Sequence, residues 1–268
     1  MKKFIALITF FMLTVVITGF SEKPVFAESK WKLGTEIYNF TYKEPDVMKE
    51  EGIMRGISAS YTNTGYNKNM FRAEFRYCFG KVDYENSGTI NDIDDYVWEL
   101  RLLGGKSFSV FTESSLSPYI GVGFRYLNDD ISGKISSTGA YAYERESNYY
   151  YIPIGIEIIT PLEKSWYFGA ILEYDYFISG KQKSHFSDVD PGYNDLENDQ
   201  KSGYGLRASV AFEKKGKNLN FSIEPFIRYW NIKESETADF TYYGTYIGYG
   251  WEPKNNSKEI GIILSLKF

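Results

Sequence analysis

Two short segments hold most of the residues able to do chemistry. One reads Asn91-Asp92-Ile93-Asp94-Asp95, the other Lys181-Gln182-Lys183-Ser184-His185-Phe186-Ser187-Asp188-Val189-Asp190-Pro191, and His185 is the only histidine in the 268 residues. An imidazole can serve as a general base if the group it acts on, or one shared water, lies within hydrogen-bonding reach. Asp188, Asp190, Asp195 and Glu197 offer oxygen ligands suited to calcium, although their spacing departs from the Asp-x-Asp-x-Asp-Gly loop. Both segments also read as ordinary solvated loops. Cys78 is the single cysteine, so an internal disulfide and the Cys/His zinc patterns are excluded, and neither a metal nor a cofactor is expected. A formal net charge of −5 without a basic block argues against nucleic acid as a partner.

The elements that must position these residues alternate with a period of two. Phe71, Ala73, Phe75, Tyr77 and Phe79 face one way while Arg72, Glu74, Arg76, Cys78 and Gly80 face the other. The same pattern recurs around Tyr96–Leu102, Ile120–Tyr126, Tyr150–Ile158, Trp166–Tyr174, Tyr204–Phe212, Phe221–Tyr229 and Ile260–Phe268, and more weakly around Trp31–Tyr42 and Ile53–Tyr61, where Arg55 falls on the apolar face. Ten amphipathic strands predict an all-β fold, a transmembrane antiparallel up-and-down β-barrel. The polar face repeats glycine (Gly56, Gly121, Gly123, Gly155, Gly169, Gly203, Gly205, Gly261), which relieves crowding in a narrow lumen. The apolar face carries Tyr96, Trp98, Tyr126, Tyr150, Trp166, Tyr174, Tyr204 and Tyr229 near strand ends, as an aromatic girdle does.

Lys2 and Lys3 precede an apolar run, Phe4–Phe20, and Val25-Phe26-Ala27 offers small residues for a signal peptidase. Residues 1–27 are therefore expected to be a cleaved signal peptide and residues 28–268 one barrel domain, monomeric, in the outer membrane among its lipids and lipopolysaccharide. Short turns are expected on the periplasmic side, and long polar loops outside at 83–94, 128–147, 179–201 and 233–256. The last of these is rich in aromatics, Tyr242, Tyr243, Tyr246, Tyr249 and Trp251. It reads either as strands continuing above the membrane or as a ligand surface.

Inward-facing Arg72, Arg76, Arg101, Arg125, Arg207 and Arg228 nearly balance Glu74, Glu99, Glu157, Glu173, Asp175, Glu224 and Glu259. A ten-stranded lumen is narrow, so mixed charges predict a plug rather than a pore.

The final strand, ending on Phe268, resembles the C-terminal strand of bacterial outer-membrane barrels, which in that class is the signal read by the barrel-insertion machinery. Ten strands with Asp92 and Asp94 in the second outer loop and His185 in the fourth further resemble the omptins, outer-membrane endoproteases. That resemblance implies a water-activating site formed by Asp92, Asp94 and His185. The omptin aspartate two residues before the histidine is Lys183 here, leaving Asp188 or Asp190 as substitutes if the loop folds back. The reading adopted from the sequence is a non-enzymatic structural or surface-interaction barrel, with an omptin-like endopeptidase and a narrow solute pore as alternatives.

Overall fold

The computed structural model describes residues 28–268 except 87 and 112; the expected signal peptide, 1–27, lies outside the described residues. The strands are β1 (Glu28–Glu44), β2 (Met48–Thr64), β3 (Asn69–Asn86), β4 (Gly88–Lys106), β5 (Phe108–Val110), β6 (Ser114–Asp130), β7 (Arg145–Pro161), β8 (Trp166–Ser184), β9 (Leu196–Gln200), β10 (Gly203–Lys214), β11 (Asn220–Ile232), β12 (Ala238–Tyr242), β13 (Thr245–Gly250) and β14 (Asn255–Lys267). All but β5, β9, β12 and β13 form a closed antiparallel barrel of ten strands. Each strand pairs with its neighbours, β8 with β10, and β14 with β1. At the seam Trp31 and Phe268 exchange backbone hydrogen bonds of 2.8 and 2.9 Å, so the chain's last residue takes part in closure.

Outward-facing apolar residues form a continuous band, Phe71–Phe79 on β3, Tyr96–Leu102 on β4, Ile120–Tyr126 on β6 and Ile260–Phe268 on β14. On β3 the band has the length a tilted strand of about nine to eleven residues needs to cross a bilayer. Aromatic rings line its loop-side edge, with Tyr77, Tyr96, Tyr126 and Trp98 in successive contact and Tyr174, Tyr204 and Tyr229 continuing the row. Arg55 does face outward, and its guanidinium lies 5.3 Å from the centre of the Phe79 ring.

The strands run on well past this band at the end away from the termini. The segment 83–94, expected as a loop, is strand up to a tight hairpin between β3 and β4, and the β1–β2 turn is only Pro45-Asp46-Val47. A register irregularity between Val82 and Tyr84 interrupts the alternation there, which is why the pattern fades in the sequence. Between β11 and β14 the chain forms a separate hairpin, β12–β13, rather than extending those two strands.

The lumen is filled in layers. Nearest the termini is a cavity of about 410 Å³, whose lining includes Arg72, Glu74, Arg101, Glu157 and Lys267. Above it ion pairs cross the barrel. Glu259 accepts from Arg76 at 2.9 and 3.0 Å and from Arg228 at 3.0 Å; Arg76 also reaches Glu99 at 2.8 Å, Arg228 reaches Glu36 at 2.9 Å, and Arg207 reaches Asp175 at 2.7 Å. Arg101 bonds Glu173. Two inner-face glycines make room for this layer. A Cβ on Gly123 would fall 2.2 Å from the Tyr151 ring, and one on Gly155 2.4 Å from the Tyr119 ring. The two tyrosines lie across those glycines and donate to Glu99 and Glu173 at 2.6 and 2.7 Å. The loop-end layer is apolar, built on Tyr38, Phe40, Met54, Val82, Ile93, Val97 and Leu127, with Tyr149, Phe177, Trp230 and Ile232 beside it.

Candidate functional site

His185 follows the last residue of β8, and the β7–β8 register sets Arg145 opposite Ser184. The His185 amide donates to the Glu144 carbonyl at 3.0 Å, which docks the start of the loop on the chain entering β7. Glu144 and Glu146 flank Arg145. The Arg145 side chain turns into the lumen toward Glu44 and Glu252, so the two glutamates share the outer face of the wall. His185 Nε2 lies 2.7 Å from Glu146 Oε1, and Nδ1 lies 3.3 Å from Asp195 Oδ2. Tyr126 Oη donates to Glu146 Oε2 at 2.8 Å, and Asn128 Nδ2 to Glu144 Oε1 at 2.6 Å. Partial burial pushes the Asp195 carboxyl upward, but hydrogen bonds from the Ser187 hydroxyl and amide, with His185 and Lys183 nearby, hold it below its ordinary value. One wall of the site is Phe186 stacked on Tyr143, with ring centres 4.2 Å apart.

Asp188 joins this cluster through the backbone: its carboxylate accepts from the Glu144 amide at 3.0 Å, and its amide donates to the His185 carbonyl. Asp92 and Asp94 lie elsewhere. Asp94 points outward from β4 and pairs with Lys81 at 2.8 Å, which holds its carboxyl below the usual range, while the Asp92 carbonyl receives Lys134. Strands β6 and β7 separate β4 from β8, so three steps of about 4.8 Å put Asp94 roughly 14 Å along the wall from His185. The oxygen-rich set Asp188, Asp190, Asp195 and Glu197 is dispersed over different partners: the Glu144 amide, the Gly192 amide, Ser187 and Lys181. The partners that the sequence reading missed are Glu144 and Glu146, whose only linear signal was a Glu-x-Glu spacing at a strand start.

A second group of acids lies inside the loop end. Asp95 faces inward and is buried, with Asp129 opposite it on β6 and the buried Glu50 nearby. Burial raises all three carboxyls; for Glu50 and Asp95 the neighbouring Asp129 adds to the rise, and Arg145 opposes it throughout. Burial likewise lifts Glu252 to about 7, against Arg145 and with Glu44 adding to the rise.

Among solved structures, the chain is similar to the outer membrane protease OmpT from Escherichia coli, with a TM-score of 0.57 and 10% identity over 94% of this chain and 98% of that one. The fold is that of an outer-membrane β-barrel. Two hydrocarbon transporters also align. TbuX of Ralstonia pickettii has a TM-score of 0.38 and 10% identity over 93% of this chain and 95% of that one. TodX of Pseudomonas putida has a TM-score of 0.34 and 10% identity over 92% and 90%. No family model and no curated protein matches the chain. At this identity the likeness to OmpT is one of fold.

Proposed function

We propose that this chain is an outer-membrane protein whose barrel is a sealed support, and whose outer end is a surface for binding rather than a pore or a hydrolytic centre. The observation that carries the reading is that two layers of side chains cross the lumen. An ion-paired layer around Arg76, Glu99, Glu259 and Arg228 is backed by an apolar layer around Phe40, Met54, Ile93 and Val97. Charges paired across a narrow lumen give a solute no hydrated path. The outer end instead presents the β12–β13 hairpin, with Tyr243, Tyr246, Ile247, Tyr249 and Trp251 more than half exposed. Rings that present an apolar face and a polar edge suit recognition of a partner at a wet surface. Removal of residues 1–27 as a signal peptide, insertion directed by the Phe268 strand, a monomeric state, and lipopolysaccharide and lipid as surroundings belong to the same reading. The test is conductance of the refolded chain in planar bilayers: small or no current is expected, and large steady channels reject the sealed lumen.

One observation favours the omptin-like endopeptidase as a second reading. Asp195 supplies at Nδ1 the carboxylate that Lys183 cannot. Against it, Nε2 is engaged by Glu146, and Asp92 and Asp94 do not face the ring across a cleft.

A further inference from the structure

We propose that Glu144, Glu146 and His185 bind a divalent first-row transition metal, zinc being the best match, on the outer wall of the loop end. One carboxylate oxygen from each glutamate and one ring nitrogen of His185 lie within 4.8 Å of one another. Ligand atoms about 2.0–2.1 Å from a tetrahedral zinc sit roughly 3.3 Å apart, so the three need only small side-chain adjustments to close on an ion. One imidazole with two carboxylates suits zinc better than calcium, which takes six to eight oxygens.

Charge and orientation point to a cation. Both ring nitrogens of His185 face carboxylate oxygens, Nε2 toward Glu146 and Nδ1 toward Asp195, a surplus of acceptors that either an imidazolium or a bound cation satisfies. With a metal at Nε2, the Nδ1–H donates to Asp195, the carboxylate–histidine–metal arrangement that fixes tautomer and ring orientation. Among the described residues neither Glu144 nor Glu146 is paired with a lysine or arginine. Their side-chain partners are Asn128, Tyr126 and the imidazole.

The supporting groups are already placed. Tyr126 takes Oε2 of Glu146 and Asn128 takes Oε1 of Glu144, which leaves Oε1 of Glu146 and Oε2 of Glu144 for the ion. The fourth position is left to water. Binding there ties the loop that begins at His185 and runs to β9 onto the β6–β7 wall, directly above the Tyr96–Tyr126 girdle.

The test uses the full barrel, refolded in detergent micelles without a histidine tag and stripped with a chelator. Zinc is titrated against a chromophoric competitor, and cobalt is followed by its absorption. One equivalent of zinc and a tetrahedral cobalt spectrum are expected. His185→Ala and Glu146→Gln should each weaken binding by more than about 100-fold, and Asp195→Asn by about 10–100-fold as an outer partner. Asp94→Asn should bind as the unaltered chain does. Unchanged heat-dependent gel mobility shows that each variant keeps the barrel, and zinc should slow hydrogen exchange over residues 186–196 in the unaltered chain only. Wild-type zinc affinity in His185→Ala, or an octahedral cobalt spectrum with no protection of 186–196, overturns the proposal.

Discussion

The two halves of this barrel share strands and period but have opposite faces. Along β1 the outward residues run Trp31, Leu33 and Ile37 and then turn polar at Thr41 and Lys43, while the inward ones run Lys32 and Glu36 and then turn apolar at Tyr38 and Phe40. On β3, Phe75 and Phe79 outside give way to Lys81 and Asp83, and Arg72 and Arg76 inside to Cys78 and Val82. Where lipid surrounds the wall the barrel hides its charges inside, and where water surrounds it the barrel adds an apolar core, which shares the interior with the buried acids around Arg145. The solvent outside decides the filling inside.

The largest effect is expected in the lipid-band half. Glu259→Gln leaves Arg76, Arg228 and Arg125 facing one another without their shared carboxylate. Loss of one partner of a buried ionic network should cost about 3–5 kcal/mol, measured by urea unfolding in micelles. A loss under about 1 kcal/mol would mean that water screens the layer.

Next comes a paired substitution outside the wall. Phe75→Arg, in the middle of the β3 band, should destabilise the barrel in bilayers by about 2–4 kcal/mol, whereas Thr89→Arg on the exposed face beyond the band should cost about 0–1 kcal/mol. Equal costs would erase the distinction between the halves.

A smaller effect sharpens the loop-end half. Glu50, Asp95, Asp129 and Glu252 all have carboxyls raised by burial, Glu252 to about 7. Above the ordinary carboxylate range the folded chain therefore holds more protons than the unfolded one, so these groups favour the folded loop end most at acidic pH and less as pH rises, Glu252 losing its part as pH passes through about 7. Hydrogen exchange corrected for intrinsic rates should show the loop ends of β2, β4 and β6 opening more at pH 8 than at pH 5. Asp95→Asn should flatten that difference, and no pH dependence in the unaltered chain would contradict the assignment.

The ten strands, the outward aromatic row and the inward charges were legible in the sequence because a period of two over nine residues carries its own signature. The loop-end strands were not, since Tyr84, Ile90 and Ile93 face inward there among polar outward residues, and the irregularity beside Val82 breaks the phase. His185 stood out as a lone histidine, but its neighbours are set by pairing between strands. Glu146 lies 39 residues before it in the chain, and Asp195 returns from beyond the short helical turn at Phe186–Asp188. Loop position and spacing pointed to Asp92 and Asp94, which the barrel holds roughly 14 Å along the wall from His185.

The central claim, that the outer end binds rather than cleaves, is tested most directly by peptide hydrolysis. The refolded chain is assayed in lipopolysaccharide-containing micelles, both chelated and supplied with zinc, beside His185→Ala, Asp92→Ala and Asp94→Ala. The account predicts no cleavage above background and no difference among the four proteins. Cleavage that disappears in His185→Ala and also in Asp92→Ala or Asp94→Ala would contradict it and establish the endopeptidase.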